Sequence, residues 1–484
     1  MFLGIDLGTS SAKAVLTGGD GEVLAQASAP LAVEMRRPLW REQDPRIWWT
    51  AVEGAVAQVA ATHDLSAVQG IGLAGQMHGA VLLDAADAVL RPAILWNDGR
   101  SQAECAALEA AEPRSRAITG NMAMPGFTAP KLLWVRAHEP DIFARIRRVL
   151  LPKDWLRLCL TGGACSEMSD AAGTLWLDTG GRCWSDAMLA ASGLDRALMP
   201  GLVEGSAASG VVRADVARAW GLPPGCIVAG GAGDNAGAAV GIGCIDAGQA
   251  FISLGTSGVI FTPDDAFRPD PAHGVHTFCH CLPARWHRMS VILSAASALT
   301  WLVGVTGAHD EAALLAELAD APAIVDSRLV FLPYLNGERT PHNDPAATGC
   351  FFGLSSATTR ADLTRAVLEG VAFALADGLD ALEAGGGRIG ALALTGGGAR
   401  AGQWNALLAS ALDRPLYRPE GAEVGPALGA ARLARLACGQ GSEAEVCTVP
   451  ATIEAWEPAA DQRASLAPRR ALFRALYPAL ARLS

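Results

Sequence analysis

Glycine-rich turns that carry hydroxyl and carboxylate side chains occur in both halves of the chain. DLGTS at residues 6–10 follows an apolar run, and LGTSG at residues 254–258 repeats most of it. Glycine lets the backbone turn tightly and approach an anion without a Cβ in the way. The N–H groups and hydroxyls of such a turn can donate hydrogen bonds to phosphate oxygens. One copy alone would fit an ordinary hairpin equally well, but the repetition predicts two phosphate-binding hairpins.

The two hairpins differ at one residue that matters for a metal ion. Asp6 stands at the end of the first strand, whereas Ser253 takes the equivalent place in the second. Carboxylate oxygens are the protein ligands that Mg²⁺ prefers, and the ion often keeps several waters. Only the first hairpin is therefore equipped for a metal, and Asp6 is its predicted ligand.

Asp234 lies in GGAGDNAG at residues 230–237, between a predicted strand and a predicted helix. The glycine spacing is not that of a dinucleotide-binding fingerprint, and the chain has no Walker A motif. A carboxylate surrounded by glycines faces a cleft without obstruction, which suits a general base that accepts a proton from an attacking hydroxyl. Capping of the following helix is the other interpretation, and one side chain can do both.

A third glycine turn, TGGGAR at residues 395–400, precedes a predicted helix that opens with Gln403-Trp404-Asn405. Three glycines let a flat ring such as adenine lie against the backbone. A tight strand–helix connection is the alternative, and it rarely needs all three. The turn therefore predicts a site for a nucleotide base.

The composition limits the class of protein. A single core rarely exceeds roughly 250–300 residues, so a chain of 484 residues should form two or three domains. The net charge of -11 argues against a nucleic-acid-binding surface, which needs a basic face. It does not exclude ATP, because local backbone dipoles bind small anions. The 11 cysteines include no CxxC pair, which fits a reducing cytoplasm.

Targeting and membrane signals are weak. No basic-then-apolar signal peptide opens the chain, so we expect a cytoplasmic protein. Residues 289–308 are uncharged and long enough to span a membrane. Their first half is β-branched and their second half is rich in Ser, Ala and Thr, so we expect a strand that enters a packed helix and no membrane association.

Lysine is rare in a chain whose basic residues are nearly all arginine. The only lysines are Lys13, Lys131 and Lys153. A position that stays lysine under such a bias can need a compact ammonium group in place of a planar guanidinium. Chance survival is the alternative.

Histidines and cysteines cluster at residues 273–287, where they could form a zinc site. The alternation of HTFCHCL puts His276 and His280 on one strand face and Cys279 and Cys281 on the other. Four ligands cannot converge from this segment alone, so a strand with incidental His and Cys residues is favoured.

Apolar periodicity places these turns on secondary structure. Residues 1–31 predict an antiparallel meander, residues 45–61 a helix, and residues 68–84 a strand pair. The hairpin pattern restarts after residue 248. We therefore expect domains at 1–244 and 245–484 that pack as two lobes. The last predicted helix, at residues 426–439, is a candidate to pack back on the first domain.

The paired hairpins, the GDN turn and the GGGAR turn resemble the FGGY family of carbohydrate kinases, in the family's order and over almost the whole chain. LWREQDPRIWW, GLAGQMHGAVLLD and FLPYLNGERTPHNDP are similar to members that phosphorylate D-xylulose. The resemblance implies an α/β fold with two actin/hexokinase/Hsp70-like (ribonuclease H-like) ATPase domains flanking a cleft. It also implies transfer of the ATP γ-phosphoryl group to a sugar hydroxyl with Mg²⁺, by a homodimer.

The resemblance assigns roles by position. Asp234 matches the catalytic base, and Asp6 matches the residue that organises the metal–phosphate site, so both are expected near the metal. Met77 and His78 match the sugar-contacting pair, where glycerol kinases carry an Arg-Glu pair instead. The other sugar-side candidates are Gln76, Asn97 and Asp98, and the ATP-side candidates are Thr9, Ser10, Lys13, Gly255, Thr256, Ser257, Gly396, Gly397, Gly398 and Asn405.

Other functions stay open at this point. Another pentulose or polyol, such as ribulose or arabinitol, would differ by the orientation of a hydroxyl, which depends on pocket geometry. A sugar-independent ATPase or chaperone of the same fold would lack any use for QMHG at residues 76–79. Sugar-sensing regulators of related fold usually place a helix-turn-helix before the ATPase domain, whereas here DLGTS begins at residue 6.

Overall fold

The computed structural model describes residues 1–35, 37–321, 328–422 and 424–482. Within these residues, two seven-stranded mixed sheets form the centres of the two halves. Helices cover the sheets, and short two-stranded sheets extend the first half.

The first half contains the following strands: β1 Phe2–Leu7, β2 Ser11–Thr17, β3 Val23–Pro30, β4 Glu42–Gln43, β5 Gly70–Gly75, β6 Val81–Leu83, β7 Ala93–Ile94, β8 Arg148–Leu150, β9 Cys165–Glu167, β10 Leu177–Asp178, β11 Cys183–Trp184, β12 Gly201–Val203, β13 Ala208–Val211, β14 Ile227–Ala229 and β15 Ala232–Gly233. Its helices are α1 Pro45–Ala60, α2 Gln102–Ala111, α3 Ser115–Thr119, α4 Thr128–His138, α5 Pro140–Arg145, α6 Pro152–Thr161, α7 Met168–Ala172, α8 Asp186–Ala191, α9 Ala214–Trp220 and α10 Asp234–Gly241.

The second half contains the following strands: β16 Ala250–Leu254, β17 Gly258–Asp264, β18 His276–Cys279, β19 Trp286–Ile292, β20 Val330–Leu332, β21 Cys350–Phe352, β22 Leu392–Thr395, β23 Leu416–Pro419 and β24 Thr452–Trp456. Its helices are α11 Ala296–Thr306, α12 Glu311–Asp320, α13 Arg360–Ala384, α14 Gly402–Leu412, α15 Gly425–Ala437, α16 Glu443–Val446 and α17 Ala460–Leu480.

The two large sheets repeat one topology. The first runs β13-β14-β5-β1-β2-β3, with β15 beside β5, and the second runs β24-β23-β22-β16-β17-β19-β18. In each, the first strand (β1 or β16) pairs antiparallel with the strand of its hairpin (β2 or β17) and parallel with β5 or β22. The two similar hairpins predicted from the sequence therefore belong to two sheets of the same topology.

Most predicted elements form, including the opening meander, the helix that begins at Pro45 and the strand–turn–helix around Asp234. The uncharged stretch at residues 289–308 is the end of β19 followed by α11, as expected. Among the described residues, no helix is both long and apolar enough to span a bilayer.

One predicted pairing is wrong. The strands at residues 68–84 form, but β5 pairs with β1 and β14 in the large sheet, whereas β6 pairs with β8 in a separate two-stranded sheet. Between them His78 adopts a left-handed backbone conformation with φ of 69°. This turn carries the chain out of the large sheet, so the two strands cannot form a hairpin.

Helices α10 and α15 follow equivalent strands of the two sheets and cross in backbone contact. A Cβ on Gly429 of α15 would lie 1.8 Å from the carbonyl oxygen of Gly237 on α10. Helix α15 also lies on the first sheet, where a Cβ on Gly72 of β5 would stand 1.8 Å from the carbonyl oxygen of Ala430. Only glycine permits such approach.

Each of these helices packs on the opposite half. Helix α15 belongs to the second half but contacts β1 and β5. Ala239 of α10, and Ile242 directly after the helix, share an apolar cluster with Phe251 and Ala393 of the second sheet. The C-terminal helix α17 instead packs on α14 and β20 of its own half. The crossed helices therefore join the two halves.

We predict that Gly429→Ala destabilises the protein by about 2 kcal/mol or more, because the added methyl group must push two helix backbones apart. Urea or thermal unfolding would measure the loss. The control is Gly304→Ala, which lies inside α11 and whose Cβ would meet nothing within 4 Å. The control should be neutral or stabilise by up to about 1 kcal/mol. Equal stability of the two variants would contradict the tight crossing.

Candidate active site

The ends of three parallel strands bring the two predicted catalytic carboxylates together. Asp6 of β1 and Ala232 of β15 are both opposite Ala74 of the intervening strand β5. Asp234 comes two residues after Ala232, as the first residue of α10. Ligands of α/β sheets bind at the carboxyl ends of such strands.

Asp234 presents one free carboxylate oxygen. Its Oδ1 accepts hydrogen bonds from Asn235 N at 2.7 Å and from Asn235 Nδ2 at 3.0 Å. Its Oδ2 takes part in none of the hydrogen bonds among the described residues. Burial raises the pKa of Asp234 to about 6, although the Asn235 hydrogen bonds oppose the rise. A carboxylate of this kind can accept a proton near neutral pH.

Asp6 has the properties of a cation ligand. Its Oδ1 is buried and has no hydrogen-bond partner among the described residues. Burial and the nearby charge of Asp234 raise the pKa of Asp6 to about 7, while the charge of Lys13, its cross-strand neighbour, opposes the rise. A buried carboxylate whose proton affinity is raised by a neighbouring carboxylate creates a site that a cation would stabilise.

A cleft of about 340 Å³ opens between Asp234 and the second sheet. Its walls come from α10, from the ends of β16 and β22, from the TGGGAR turn and from the start of α15. The lining residues are Asp234, Asn235, Ala238, Ile242, Phe251, Ser253, Leu394, Thr395, Gly396, Gly397, Ala399, Arg400, Arg418, Ala422, Gly425 and Pro426. The predicted base and the predicted nucleotide turn therefore face one cavity.

Hydrogen bonds of the Thr9 side chain attach the first hairpin to neighbouring loops. Thr9 Oγ1 donates to Gln76 Oε1 at 3.2 Å and accepts from Trp96 Nε1 at 2.9 Å. Gln76 Nε2 donates in turn to Gln43 Oε1 at 3.2 Å. The Thr9 hydroxyl and the Gln76 amide thus bind the hairpin to neighbouring loops, while Ser10 at the tip is exposed.

The second hairpin supports a helix of its own half. Gly255 N donates to Ser257 O at 3.0 Å and closes the turn. Thr256 O accepts from Ala295 N at 2.9 Å and from Ser297 Oγ at 2.7 Å, at the start of α11. The Thr256 side chain is exposed, whereas Ser253, the counterpart of Asp6, lines the cleft.

The third glycine turn divides into lining and packing residues. Gly396, with φ of 87°, and Gly397 line the cleft, and a Cβ on Gly397 would meet nothing within 4 Å. A Cβ on Gly398 would lie 2.7 Å from the Leu254 side chain, so this glycine serves packing. Asn405 is buried and donates from Nδ2 to Ala399 O at 2.8 Å. Asn405 is therefore placed to shape the turn.

His78 is a neutral hydrogen-bond acceptor held in one orientation. Its Nδ1 lies 2.7 Å from the carbonyl oxygen of Gly173. A carbonyl can only accept, so Nδ1 carries the proton and Nε2 has the free lone pair. Burial and the charge of Lys131 keep the pKa of His78 well below its usual range. Met77 beside it is buried and packs against Gly173 and Gly233.

Lys131 fixes the turn at His78. The rarity of lysine suggested that this residue matters, but it did not show what Lys131 contacts. Its side chain is fully buried, and Nζ donates to His78 O and to Gly126 O, both at 2.8 Å. A compact ammonium group can reach two carbonyl oxygens at this depth, where a planar guanidinium would be too large.

The two residues after Trp96 have different environments. Asn97 is exposed and remains a candidate sugar contact. Asp98 is buried, and its carboxylate accepts from Arg41 N at 2.6 Å and from Arg100 Nη2 at 2.7 Å. Asp98 therefore organises its loop.

The oxygen donors of Asp6 and Asp234 fit Mg²⁺, which takes one or two protein carboxylates and completes its shell with phosphate oxygens and water. In the described part of the chain, no group of three or more His, Cys, Asp or Glu side chains is arranged to hold a metal.

In the segment at residues 273–287, His276 stacks on Phe278 and His287 stacks on Phe261. These imidazoles belong to an aromatic core.

Two cleft residues were missed by sequence reasoning. Arg400 ends the TGGGAR motif, so its neighbours could have suggested it. Arg418 lies on β23, and nothing in its local sequence marks it. The Arg400 guanidinium supplies positive charge that suits an anionic ligand, whereas the Arg418 guanidinium is paired with Glu454 at 2.8 Å.

We predict that the His78 ring stays neutral, with its proton on Nδ1, at a pH of about 6.5, where an ordinary histidine is half protonated. Nitrogen-15 NMR of histidine-labelled protein would measure this, with the His78→Asn variant used to assign the signal. A protonated ring, or a proton on Nε2, would contradict the geometry around Gly173.

Similar proteins place this site in context. The chain is 52% identical over 481 residues, 99% of each chain, to a xylulose kinase of Escherichia coli. It is 35% identical over 448 residues to a xylulose kinase of Bacillus subtilis, covering 92% of this chain and 90% of the relative. A "xyloylose kinase" structure from Brucella ovis has 51% identity, a TM-score of 0.96 and full coverage of both chains. A glycerol kinase structure from Plasmodium falciparum with ADP has a TM-score of 0.88 at 20% identity and 98% coverage of both chains, which shows a shared fold.

Two family models match successive parts of the chain. The N-terminal domain of the FGGY family of carbohydrate kinases matches residues 1–241, and its C-terminal domain matches residues 250–438. The family resemblance and the two-domain ATPase fold that it implied are confirmed. The chain belongs to the FGGY family of carbohydrate kinases.

Proposed function

We propose that this protein transfers the γ-phosphoryl group of ATP to the 5-hydroxyl of D-xylulose, giving D-xylulose 5-phosphate and ADP. The observation that carries the proposal is the identity of 52% along nearly the whole chain with a xylulose kinase. The neutral His78 acceptor and the position of Asp234 at the cleft support the same reaction. The product would serve xylose and pentose catabolism.

Asp234 is the proposed general base. Its free Oδ2 accepts the proton of the sugar hydroxyl as the oxygen of that hydroxyl bonds to phosphorus and the bond to ADP breaks. Asn235 fixes the carboxylate through Oδ1, so the orientation of Oδ2 is set before the sugar binds. A pKa near neutrality suits a base at physiological pH.

Asp6, with Asp234 beside it, is the proposed site of Mg²⁺. The bound ion would neutralise charge on the transferring phosphoryl group, which is most of what this loose transition state requires. Residues of both hairpins, with Lys13 on the first, Gly396 and Gly397 on the third turn, and Arg400 and Arg418, are the proposed contacts of ATP. We propose a backbone role for Thr9, because its hydroxyl already donates to Gln76.

The sugar is proposed to contact His78 Nε2, Met77 and Asn97 on the first half. Gln76 contributes by fixing the first hairpin, since both ends of its amide are bonded to protein groups. Water in place of the sugar would waste ATP, so closure of the two halves on both substrates is part of the proposal.

A cytoplasmic location and a homodimer belong to the same proposal. All 11 cysteines are free thiols, which fits a reducing compartment. Sedimentation equilibrium would give the mass of the assembly, and a monomer would remove the homodimer from the proposal.

We expect ADP release with Mg-ATP to be fastest with D-xylulose among D-xylulose, D-ribulose, L-ribulose, D-arabinitol, glycerol and a blank without sugar. A coupled ADP assay measures kcat/KM for each. Preference for another sugar would keep the kinase chemistry and reject the substrate. Equal turnover in every sample, including the blank, would indicate a sugar-independent ATPase.

We expect Asp234→Asn to lower kcat by about 10²–10⁴-fold, the usual effect of removing a positioned base. The amide has the same shape, so Oδ1 can still accept from Asn235 and the melting temperature should hold. The matched control is Asp310→Asn, which makes the same change at the start of α12, where Oδ1 accepts from Ala313 N at 2.8 Å. The control should keep full activity.

The pH profile provides a second readout for the base. Asp234 must be ionised to accept a proton, and burial raises its pKa from 3.8 to about 6. The wild-type kcat/KM, with both substrates below saturation, should therefore fall as the pH drops through about 6. Activity that stays constant down to pH 4, or Asp234→Asn with wild-type kcat, would reject Asp234 as the base.

A further inference from the structure

The short helix α7 touches both sides of the proposed active site. At its start, Ser169 Oγ accepts a hydrogen bond from Gly233 N at 3.0 Å. At its end, the carbonyl oxygen of Gly173 accepts from His78 Nδ1 at 2.7 Å. Gly233 directly precedes Asp234, so one helix is hydrogen-bonded to the backbone next to the proposed base and to the side chain of the proposed sugar ligand.

The start of α7 is fixed by the side chain of Glu167. Its carboxylate accepts from Ser169 N at 2.7 Å, from Asp170 N at 2.8 Å and from Ser169 Oγ at 2.8 Å. A backbone N–H can only donate, so the Ser169 hydroxyl must accept from Gly233 and donate to Glu167. The direction of the chain of hydrogen bonds from Glu167 to Gly233 is therefore determined.

A buried ion cluster holds Glu167 in turn. Lys153 Nζ lies 2.8 Å from Asp154 Oδ1, 3.0 Å from Asp170 Oδ2 and 3.4 Å from Glu167 Oε1, and all four side chains are fully buried. Burial raises the pKa of Asp170 well above its usual range, and the charge of Lys153 opposes the rise. Lys153 is the second rare lysine that lies inside the protein.

Arg157 connects the same cluster to the turn that leads into Asp234. Its Nη2 lies 3.3 Å from Asp154 Oδ1 and donates to Gly230 O at 2.6 Å, and its Nη1 donates to Ala229 O at 2.8 Å. Burying such charges is expensive, and apolar residues would often be at least as stable in their place. Apolar residues, however, could not donate hydrogen bonds to the carbonyl oxygens of Ala229 and Gly230, so they could not fix the backbone of this turn.

The packing is close at both ends of this connection. A Cβ on Gly173 would lie 2.6 Å from Nδ1 of the His78 ring, and a Cβ on Gly233 would lie 2.8 Å from Met77 Sδ. The separation between Asp234 and His78 therefore depends on the placement of this helix together with the direct packing of Met77 against Gly233.

We propose that α7 is a rigid spacer that sets the distance between the base Asp234 and the sugar ligand His78, with Ser169 as the positioning residue at its base-facing end. The inference rests on the proposed function of those two residues. A displacement of about 1 Å between reacting groups can cost 10²-fold in rate. Loosening the Ser169 contact should therefore act on kcat more than on binding.

The test compares Ser169→Ala with Ser410→Ala in the full-length protein. The Ser410 hydroxyl is also buried, accepts from a backbone N–H, that of Ala459, at 3.1 Å, and donates to Gln462 Oε1 at 2.8 Å. It lies in α14, away from the cleft. Both variants should lose similar thermal stability, but only Ser169→Ala should lower kcat, by about 10-fold or more, with KM for ATP within about twofold.

Gly173→Ala tests the other end of the spacer. This variant still tests the proposal if Ser169→Ala does not fold. Its methyl group pushes the His78 ring, so KM for D-xylulose should rise at least about fivefold while kcat changes less. An unchanged KM would overturn the spacer at this end.

The spacer and the proposed function fail in different ways. Ser169→Ala with the same kcat as Ser410→Ala, in an enzyme that Asp234→Asn inactivates, would overturn the spacer and leave the function standing. Asp234→Asn with wild-type kcat would overturn the function itself, whatever Ser169→Ala does.

Discussion

The backbone contact between α10 and α15 is the constraint on which the rest of the molecule depends. The two helices meet at Gly237 and Gly429 with no side chain between them. Because each helix packs on the sheet of the opposite half, the position of one sheet relative to the other follows from this crossing. The first residues of both helices, Asp234 and Gly425, consequently face the same cleft. Helix α15 approaches the backbone of β5 just as closely, at Gly72 and Ala430, so the halves are joined through backbone atoms at more than one place.

Buried charge is the second organising feature. Lys131 and Lys153 are completely buried, although desolvating an ammonium group is costly unless its donors are satisfied. Lys131 is satisfied by two carbonyl oxygens beside His78, and Lys153 by carboxylates behind the Asp234 turn. Lys131 holds two loop segments together, whereas Lys153 joins α6 to β9 and α7. The same low-dielectric surroundings raise the pKa of Asp6 and Asp234, so rigidity and proton affinity have one physical origin.

Local turn chemistry made much of the site predictable from the sequence. Glycine at a tight turn and a carboxylate at a strand end are requirements of the residues themselves, so Asp6, Asp234 and the TGGGAR turn were all identified, and Asp234, Gly396 and Gly397 line one cleft. The directions of side chains were less predictable. The Thr9 hydroxyl binds Gln76 and Trp96, Asn405 supports its turn from within, and Arg418 enters the cleft without any local signal. These orientations depend on neighbours that lie far away in the sequence.

The sequence by itself therefore determined the family, the two hairpins, the elements that follow each glycine turn and the identity of the proposed base, because each rests on short-range backbone requirements. Tertiary structure alone decided that β5 and β6 belong to different sheets, that α15 crosses to the first sheet, and that α7 connects Gly233 to His78. Strand partners and helix crossings are set by which surfaces can come into contact once the whole chain is compact. The contact between residues 78 and 173 could not be predicted from the sequence around either residue.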